Sequence, residues 1–250
     1  MDRQKLSTIA HTTHPLAAPV REANATRLLR RAACPPDARL LDLGCGEAAW
    51  LLAALDVYPR ASAVGVDLSA PALERAQRAA EKRGLADRLS LRQTDAKRFT
   101  ADPFHDLVLC VGSTHAFGGL VSTLDILRGH VRTGGIALVG EGFWTRPPDE
   151  AALRGLSATA EEFSDLAGLV DTVEAAGWSP IYAHVSEEGE WDDYEWSWVG
   201  SLTQWALDNP SHPDAGDALA AAREHRAGWL GGYRGTLGFA CLLLRPTRTR

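Results

Sequence analysis

The chain repeats one pattern: a short, largely apolar run, then a turn, then a segment long enough to make a helix. Arg39-Leu-Leu-Asp-Leu43, Ala63-Val-Gly-Val66, Leu89-Ser-Leu-Arg92, Asp106-Leu-Val-Leu-Cys-Val111 and Ile136-Ala-Leu-Val139 are the clearest of these runs. Apolar strands without polar alternation need cover on both faces, and helix-length crossovers let successive strands run parallel. The expected fold class is therefore α/β, with a doubly wound sheet. The segment Glu47–Val57 reads as the first crossover helix. In the second, Ser69 is the cap, Pro71 lies in the first turn and Gly84 is the stop. Two more strand-like pieces, Trp178–Val185 and Gly235–Leu244, flank a helical insert at about 187–230. No repeat or low-complexity linker divides the 250 residues, so a single domain is expected. Its parts are an N-terminal helical arm (1–36), a cofactor-binding half (37–145) and a substrate-side half (146–250).

Charge is unevenly distributed along this frame. No Lys or Arg occurs between Arg154 and Arg223, whereas residues 155–222 hold 14 Asp or Glu. The remainder carries 18 acids against 26 bases, a net of +8 within an overall −6. Such a segment repels phosphate and favours a cationic ligand, which argues against a nucleic-acid groove there. Seven of the eight Trp follow residue 143, so the aromatic surface is concentrated in the same half. Apolar runs such as Phe239–Leu244 are too short to span a bilayer, and the N-terminal MDRQKLSTIAHTTH lacks an apolar signal core. A cytoplasmic protein without a membrane partner is expected. Cys34, Cys45, Cys110 and Cys241 form no CxxC pair, so free thiols and no metal site are expected.

The turn Asp42-Leu-Gly44-Cys-Gly46-Glu-Ala48-Ala49 closes the first strand and opens the first crossover helix. Its glycines permit a tight turn and close approach of a ligand to the backbone. Asp67 ends the second strand, 21 residues after Gly46, where an acid can hold both hydroxyls of a ribose. That pattern alone fits a nicotinamide dinucleotide nearly as well. Asp42, however, lies two residues before Gly44, and a carboxylate there opposes a pyrophosphate. S-adenosylmethionine carries a sulfonium and an ammonium, both of which favour nearby acids. Asp95, after the third strand, is placed to accept from an adenine amino group.

In these stretches the chain resembles the class I S-adenosylmethionine-dependent methyltransferases of small-molecule type. LLDLGCGEAAW, VGVDLS, QTDA, HDLVLCVGSTHAF and VRTGGIALVGEGFW stand in the family's order and spacing over about residues 38–145. The resemblance implies a Rossmann-like seven-stranded sheet in the order 3-2-1-4-5-7-6 with the last strand antiparallel. It also implies that Asp42, Gly44 and Gly46 surround the methionine part, Asp67 holds the ribose, and Leu68, Asp95 and Ala96 frame the adenine. Cys45 and Gly112 join this cofactor-binding set, and IAHTTHPLAAP is similar to the family's cofactor-covering arm. Ala48 departs from the pattern, since many members carry a third glycine there.

Methyl transfer is an in-line displacement, so positioning the nucleophile supplies much of the rate, with a base needed only where a proton must leave. In an open sheet the reacting groups gather at the carboxyl ends of the strands. That places Gly112-Ser113-Thr114-His115 and Glu141-Gly-Phe-Trp144 at the site. His115 is the first candidate base, its side-chain type titrating near neutrality, and a loop residue that orients substrate is the alternative. Glu141 is a candidate to bind an amine or take a proton, with a structural hydrogen bond as its alternative. Ser113, Trp144, Trp191, Tyr194 and Trp198 are candidate substrate contacts. Tyr194, Trp198, Leu202 and Trp205 recur at helical spacing, a stripe that serves either as core or as an aromatic face for ammonium groups. The function expected is methylation of a small molecule, a natural-product or metabolite amine or an N-heterocycle. A non-catalytic S-adenosylmethionine-binding partner or sensor is the second reading, and a nicotinamide dehydrogenase the third. Cys110-Val-Gly-Ser lacks the Pro-aromatic clamp of amino-directed DNA enzymes, and the oligomeric state stays open.

Overall fold

The computed structural model describes residues 1–100 and 104–247. Two helices, α1 (Arg3–Ala10) and α2 (Glu22–Ala32), precede an alternating series: β1 (Arg39–Leu43), α3 (Ala49–Val57), β2 (Ser62–Asp67), α4 (Ala70–Lys82) and β3 (Leu89–Gln93). There follow β4 (His105–Val111), α5 (Leu120–Arg128), β5 (Val131–Trp144), α6 (Glu150–Leu156), α7 (Leu166–Ala175) and β6 (Trp178–Val185). The chain ends with α8 (Glu188–Asp208), α9 (Ala215–Gly228) and β7 (Leu237–Pro246). The sheet has seven strands in the order β3-β2-β1-β4-β5-β7-β6, as the resemblance implies. β1 runs parallel to β2 and β4, β2 to β3, and β4 to β5, while β6 and β7 pair antiparallel. Strand order reverses direction between β1 and β4. The crevice at a doubly wound sheet's switch point therefore opens beyond Leu43 and Val111.

The strands form where residues without polar alternation meet helices on both sides. Leu40, Leu41, Leu43, Leu107, Val108, Leu109 and Leu138 are all fully buried. The cap expected for α4 is present: the Ser69 hydroxyl accepts from the Ala72 N–H at 3.2 Å, and Gly84 (φ +66°) lies just past the helix end. Two boundaries differ from expectation. α3 begins at Ala49 rather than Glu47, because Gly46 and Ala48 hold left-handed backbone (φ +52° and +57°) that a helix cannot include. β7 covers Leu237–Pro246 rather than Gly235–Leu244, and the helical insert before it comprises two helices, α8 and α9, followed by a single π turn at Trp229–Tyr233. α8 starts with a capping box in which Glu187 and Glu190 satisfy each other's backbone N–H groups.

The chain folds into two compact units. One, the sheet unit, holds Arg21–Glu141, Val170–Val185 and the chain from Ala240 onward. The other, the cap unit, holds Met1–Val20, Gly142–Leu169 and Ser186–Phe239. The cap unit has its own core, in which Ile9 and Ala10 of α1 pack with Val199, Leu202 and Ala206 of α8 and with Ala215, Ala218 and Ala222 of α9. The first twenty residues thus belong with the helical insert. Among the described residues, no helix is long and apolar enough to cross a membrane, and all four cysteines are free thiols.

Candidate functional site

In the sheet unit the glycine turn is held from several sides. The N–H groups of Gly44 and Cys45 both donate to the Val66 carbonyl, at 2.8 and 3.0 Å, tying the turn to β2. Gly44 has φ +82°, and a Cβ there would lie 2.7 Å from the Ser113 hydroxyl oxygen. Only glycine meets both conditions. Ser113 in turn donates to the Leu43 carbonyl at 3.2 Å, so this residue, a candidate substrate contact, braces the turn. Gly112 (φ +71°) donates its N–H to the Gly140 carbonyl at 3.2 Å, linking the ends of β4 and β5.

Asp67 reaches across the same turn. Its carboxylate accepts from the Gly46 N–H and from the Ser69 N–H, both at 2.8 Å. The acid is thereby fixed in place, and each oxygen retains a lone pair for a ligand hydroxyl. Asp95 is half-buried and accepts from the Lys97 N–H at 3.0 Å. Each of these two acids therefore also organises its own turn. Leu68 is 68% exposed beside Asp67, with Ala96 half-buried after Asp95. An exposed leucine beside a fixed acid suits a flat apolar ring bearing polar edges. Cys45 is buried, and its thiol is pushed up by that burial, so it is held neutral.

Asp42 is the buried acid of this turn. It is 3% exposed, and burial, then the charge of Asp67, pushes its carboxyl up to about 7. A buried carboxyl in that state is stabilised by a cation more than by any neutral group. The turn therefore fits a ligand that is cationic at one end and aromatic at the other. A proton linkage follows: in the ligand-free protein Asp42 is largely protonated below pH 7, and a bound cation favours its ionised form. S-adenosylmethionine binding is expected to release up to one proton below pH 7. Affinity should then rise by at most about tenfold per pH unit up to 7 and flatten above it. Calorimetry in buffers of differing ionisation enthalpy measures the release, which Asp42→Asn should remove.

His115 lies exposed in a 3₁₀ turn, Thr114–Phe117, just beyond β4. Glu141 is half-buried on β5, and its charge contributes to pushing up the Cys110 thiol. Both stand at the carboxyl ends of adjacent strands within the sheet unit.

The cap unit contains a cavity of about 80 Å³ walled by Trp191, Trp229, Tyr233 and Leu237. That volume holds several waters or a compact organic group. Behind its Tyr233 wall lies a buried polar network. The Tyr233 hydroxyl donates to Glu195 Oε1 at 2.7 Å, and His225 Nε2 lies 2.5 Å from Glu195 Oε2. Glu195 is only 2% exposed. Burial, and then the neighbouring Glu195, push the Tyr233 phenol well above its ordinary range. Arg234 closes the rim with two bonds to Asp192, at 2.9 and 2.8 Å, and one to Glu188 at 2.8 Å.

The other aromatic candidates are distributed differently. Trp198 stacks on His225 at 3.8 Å, one layer behind the cavity, and also borders the α1–α8–α9 core. Tyr194 meets the two histidines of the N-terminal segment: His11 Nε2 lies 3.2 Å from its hydroxyl, and His14 packs edge-on at 5.4 Å. Trp144 is buried edge-on against Phe163 at 5.3 Å, and its indole N–H donates to the Ala160 carbonyl at 2.9 Å. Glu195, His225 and Tyr233 were not singled out by sequence. They lie 30 and 38 residues apart, with no motif joining them.

Comparison with known proteins accords with this geometry. The family profile of a methyltransferase domain matches residues 40–135. The chain is 29% identical over 226 residues to the Escherichia coli K12 protein YjhP, covering 88% of this chain and 89% of that one. A crystal structure of an S-adenosylmethionine-dependent methyltransferase from Geobacter sulfurreducens, in complex with S-adenosyl-L-homocysteine, is similar with a TM-score of 0.90 and 27% identity over 97% of this chain and 98% of that chain. One from Thiobacillus denitrificans, also with S-adenosyl-L-homocysteine, has a TM-score of 0.90 and 26% identity over 98% of this chain and 100% of that chain.

Proposed function

We propose that this chain, a class I S-adenosylmethionine-dependent methyltransferase with S-adenosylmethionine as its cofactor, methylates a nitrogen of a small amine or N-heterocycle. The observation that carries the amine reading is the cavity in the cap unit. Three aromatic side chains wall it, and the carboxylate of Glu195 stands one hydrogen bond behind Tyr233. Aromatic faces backed by a buried acid attract ammonium groups. The acid-rich segment 155–222, which includes Glu195, points the same way.

Bound S-adenosylmethionine would supply an electrophilic methyl carbon on a sulfonium, held by the turn at Asp42, Gly44 and Gly46 and by Asp67. The protein's own task is to deliver a neutral nitrogen along the line of that bond. An ammonium must first lose a proton. His115, at the carboxyl end of β4 and open to solvent, is the group to accept it and pass it to water. Glu141, on the adjacent strand, offers a carboxylate to orient the nitrogen through a charge-assisted hydrogen bond. Neither role requires a metal ligand, only alignment of the nucleophile.

A radiolabelled methyl-transfer screen over amines, N-heterocycles, phenols and keto acids tests this reading. Amines are expected to be the preferred acceptors. With the preferred amine, His115→Ala should lower kcat about 10²-fold or more in the same transfer assay. Transfer confined to phenols or carbon acids would end the amine assignment and leave the methyltransferase intact.

A further inference from the structure

We propose that a groove at the amino-terminal edge of the sheet, away from the cofactor turn, is a binding site for a small oxyanion, phosphate or carboxylate, carried on an apolar body. The groove lies within the sheet unit and encloses about 290 Å³. The end of α2 (Arg31), the first residues of β4 and β5 (Asp106, Arg132) and the last part of β7 (Arg245) line it. β4 alone separates it from the carboxyl edge by seven residues, roughly 20 Å of strand. A ligand here is therefore distinct from one at the glycine turn.

Three guanidiniums face one carboxylate, and that carboxylate is already committed. Asp106 accepts from Arg132 Nε at 2.5 Å and from the Arg39 N–H at 2.8 Å. No carboxylate pairs with Arg31 or Arg245 among the described residues. Arg31 Cζ instead lies over the Tyr182 ring, 4.1 Å from its centroid, which holds the guanidinium in place without neutralising it. Arg132 and Arg245 both border Gly134: one Nη of each lies 3.7 Å from the point where a Cβ there would sit, and that Nη1 of Arg132 also donates to the Thr133 carbonyl at 2.9 Å. Because that residue is glycine, with φ +76°, the space between the two guanidiniums stays open. Arg31 and Arg245 leave the groove with an excess of positive charge, and a planar or tetrahedral oxyanion accepting from their guanidiniums offsets it.

The remaining wall sets the rest of the ligand. Ile136, Ile181 and Pro35 line the groove, and Ile181 is 46% exposed, so an apolar body gains by covering it. Cys34, also in the wall, has its thiol pushed up to about 11 by burial and stays neutral. It adds no competing negative charge.

The test is calorimetric titration of the full chain at constant ionic strength with inorganic phosphate, butyl phosphate and succinate, repeated on Arg31→Gln, Arg245→Gln and a control, Arg78→Gln. Arg78 pairs with Glu74 on α4, far in sequence from the groove. All three arginines are surface residues, so the variants should fold, which thermal unfolding verifies. One saturable site is expected, with butyl phosphate tighter than phosphate. Arg31→Gln and Arg245→Gln should each weaken it about tenfold, Arg78→Gln not at all, and basal methyl transfer should stay unchanged in Arg245→Gln. Tighter binding of succinate than of phosphate would assign the carboxylate source, and the reverse the phosphate source. Absence of saturable binding by all three probes, or equal weakening in the control, overturns the proposal.

Discussion

Gly44→Val is expected to weaken S-adenosylmethionine binding by at least about 100-fold, while Gly46→Ala should weaken it less than tenfold. The two glycines lie in one turn and both hold left-handed backbone, at φ +82° and +52°. What separates them is the space beyond. A Cβ at Gly44 meets the Ser113 hydroxyl oxygen at 2.7 Å and the Ser113 Cβ at 2.9 Å, whereas at Gly46 nothing lies within 4 Å. Gly46→Ala therefore adds only a backbone term of about 1–2 kcal/mol, part of which the turn absorbs. Gly44→Val adds that term and an overpacking term of about 1–3 kcal/mol, with a β-branched side chain in the least suitable conformation. Ser113 cannot retreat freely, because it is bonded to the Leu43 carbonyl. The turn must move instead, taking with it the N–H groups that bind Val66 and Asp67. Calorimetry on both variants decides the matter. Equal weakening would show that backbone strain alone governs the turn, and Gly44→Ala rescued by Ser113→Gly would isolate the steric part.

Much of this unit is legible in the sequence because its signals are local. A strand such as Arg39–Leu43 is marked by its leucines at 40, 41 and 43, a cap such as Ser69 sits three residues before the N–H it serves, and acids close successive strands. The strand order came with the family resemblance rather than from the residues one by one. The start of α3 was not legible, since an alanine in left-handed conformation at position 48 carries no compositional mark. The acidic run in the last hundred residues also means less than its count. Glu187 and Glu190 are spent on a helix cap, and Asp192 and Glu188 on Arg234. The aromatic stripe on α8 divides in the same way. Leu202 is core, Trp198 backs His225 and Tyr194 meets His11, so a single helical period serves three environments. Periodicity reports which face is apolar; it is silent on what that face meets. The network of Glu195, His225 and Tyr233 depends on how α8, α9 and the π turn pack together, and that is tertiary information.

That network supplies the other large effect. Glu195→Ala is expected to destabilise the protein by about 3–5 kcal/mol, read as a lower midpoint in urea unfolding. The carboxylate is 2% exposed and serves two partners at once, Tyr233 at 2.7 Å and His225 at 2.5 Å. Its removal leaves the phenol O–H and the imidazole without their acceptor and opens a void between them, so desolvation and cavity terms add. Glu195→Gln separates charge from shape. It keeps an oxygen to accept from Tyr233 and nearly the same volume, so it should cost only about 1–2 kcal/mol of stability. It removes the negative charge behind the aromatic wall, however, and that charge is what the amine reading depends on. With a cationic amine substrate, Glu195→Gln should raise KM about tenfold and leave kcat near its original value, the pattern of lost ground-state binding. A neutral N-heterocycle of the same size should show no such increase. If both substrates respond equally, Glu195 is holding the wall in place rather than attracting charge. Tyr233→Phe provides the complementary measurement, since it retains the carboxylate and the aromatic face while deleting the hydroxyl's contacts to Glu195 at 2.7 Å and His225 Nε2 at 3.3 Å. Stability should fall by about 1 kcal/mol, and the preference for the cation should persist.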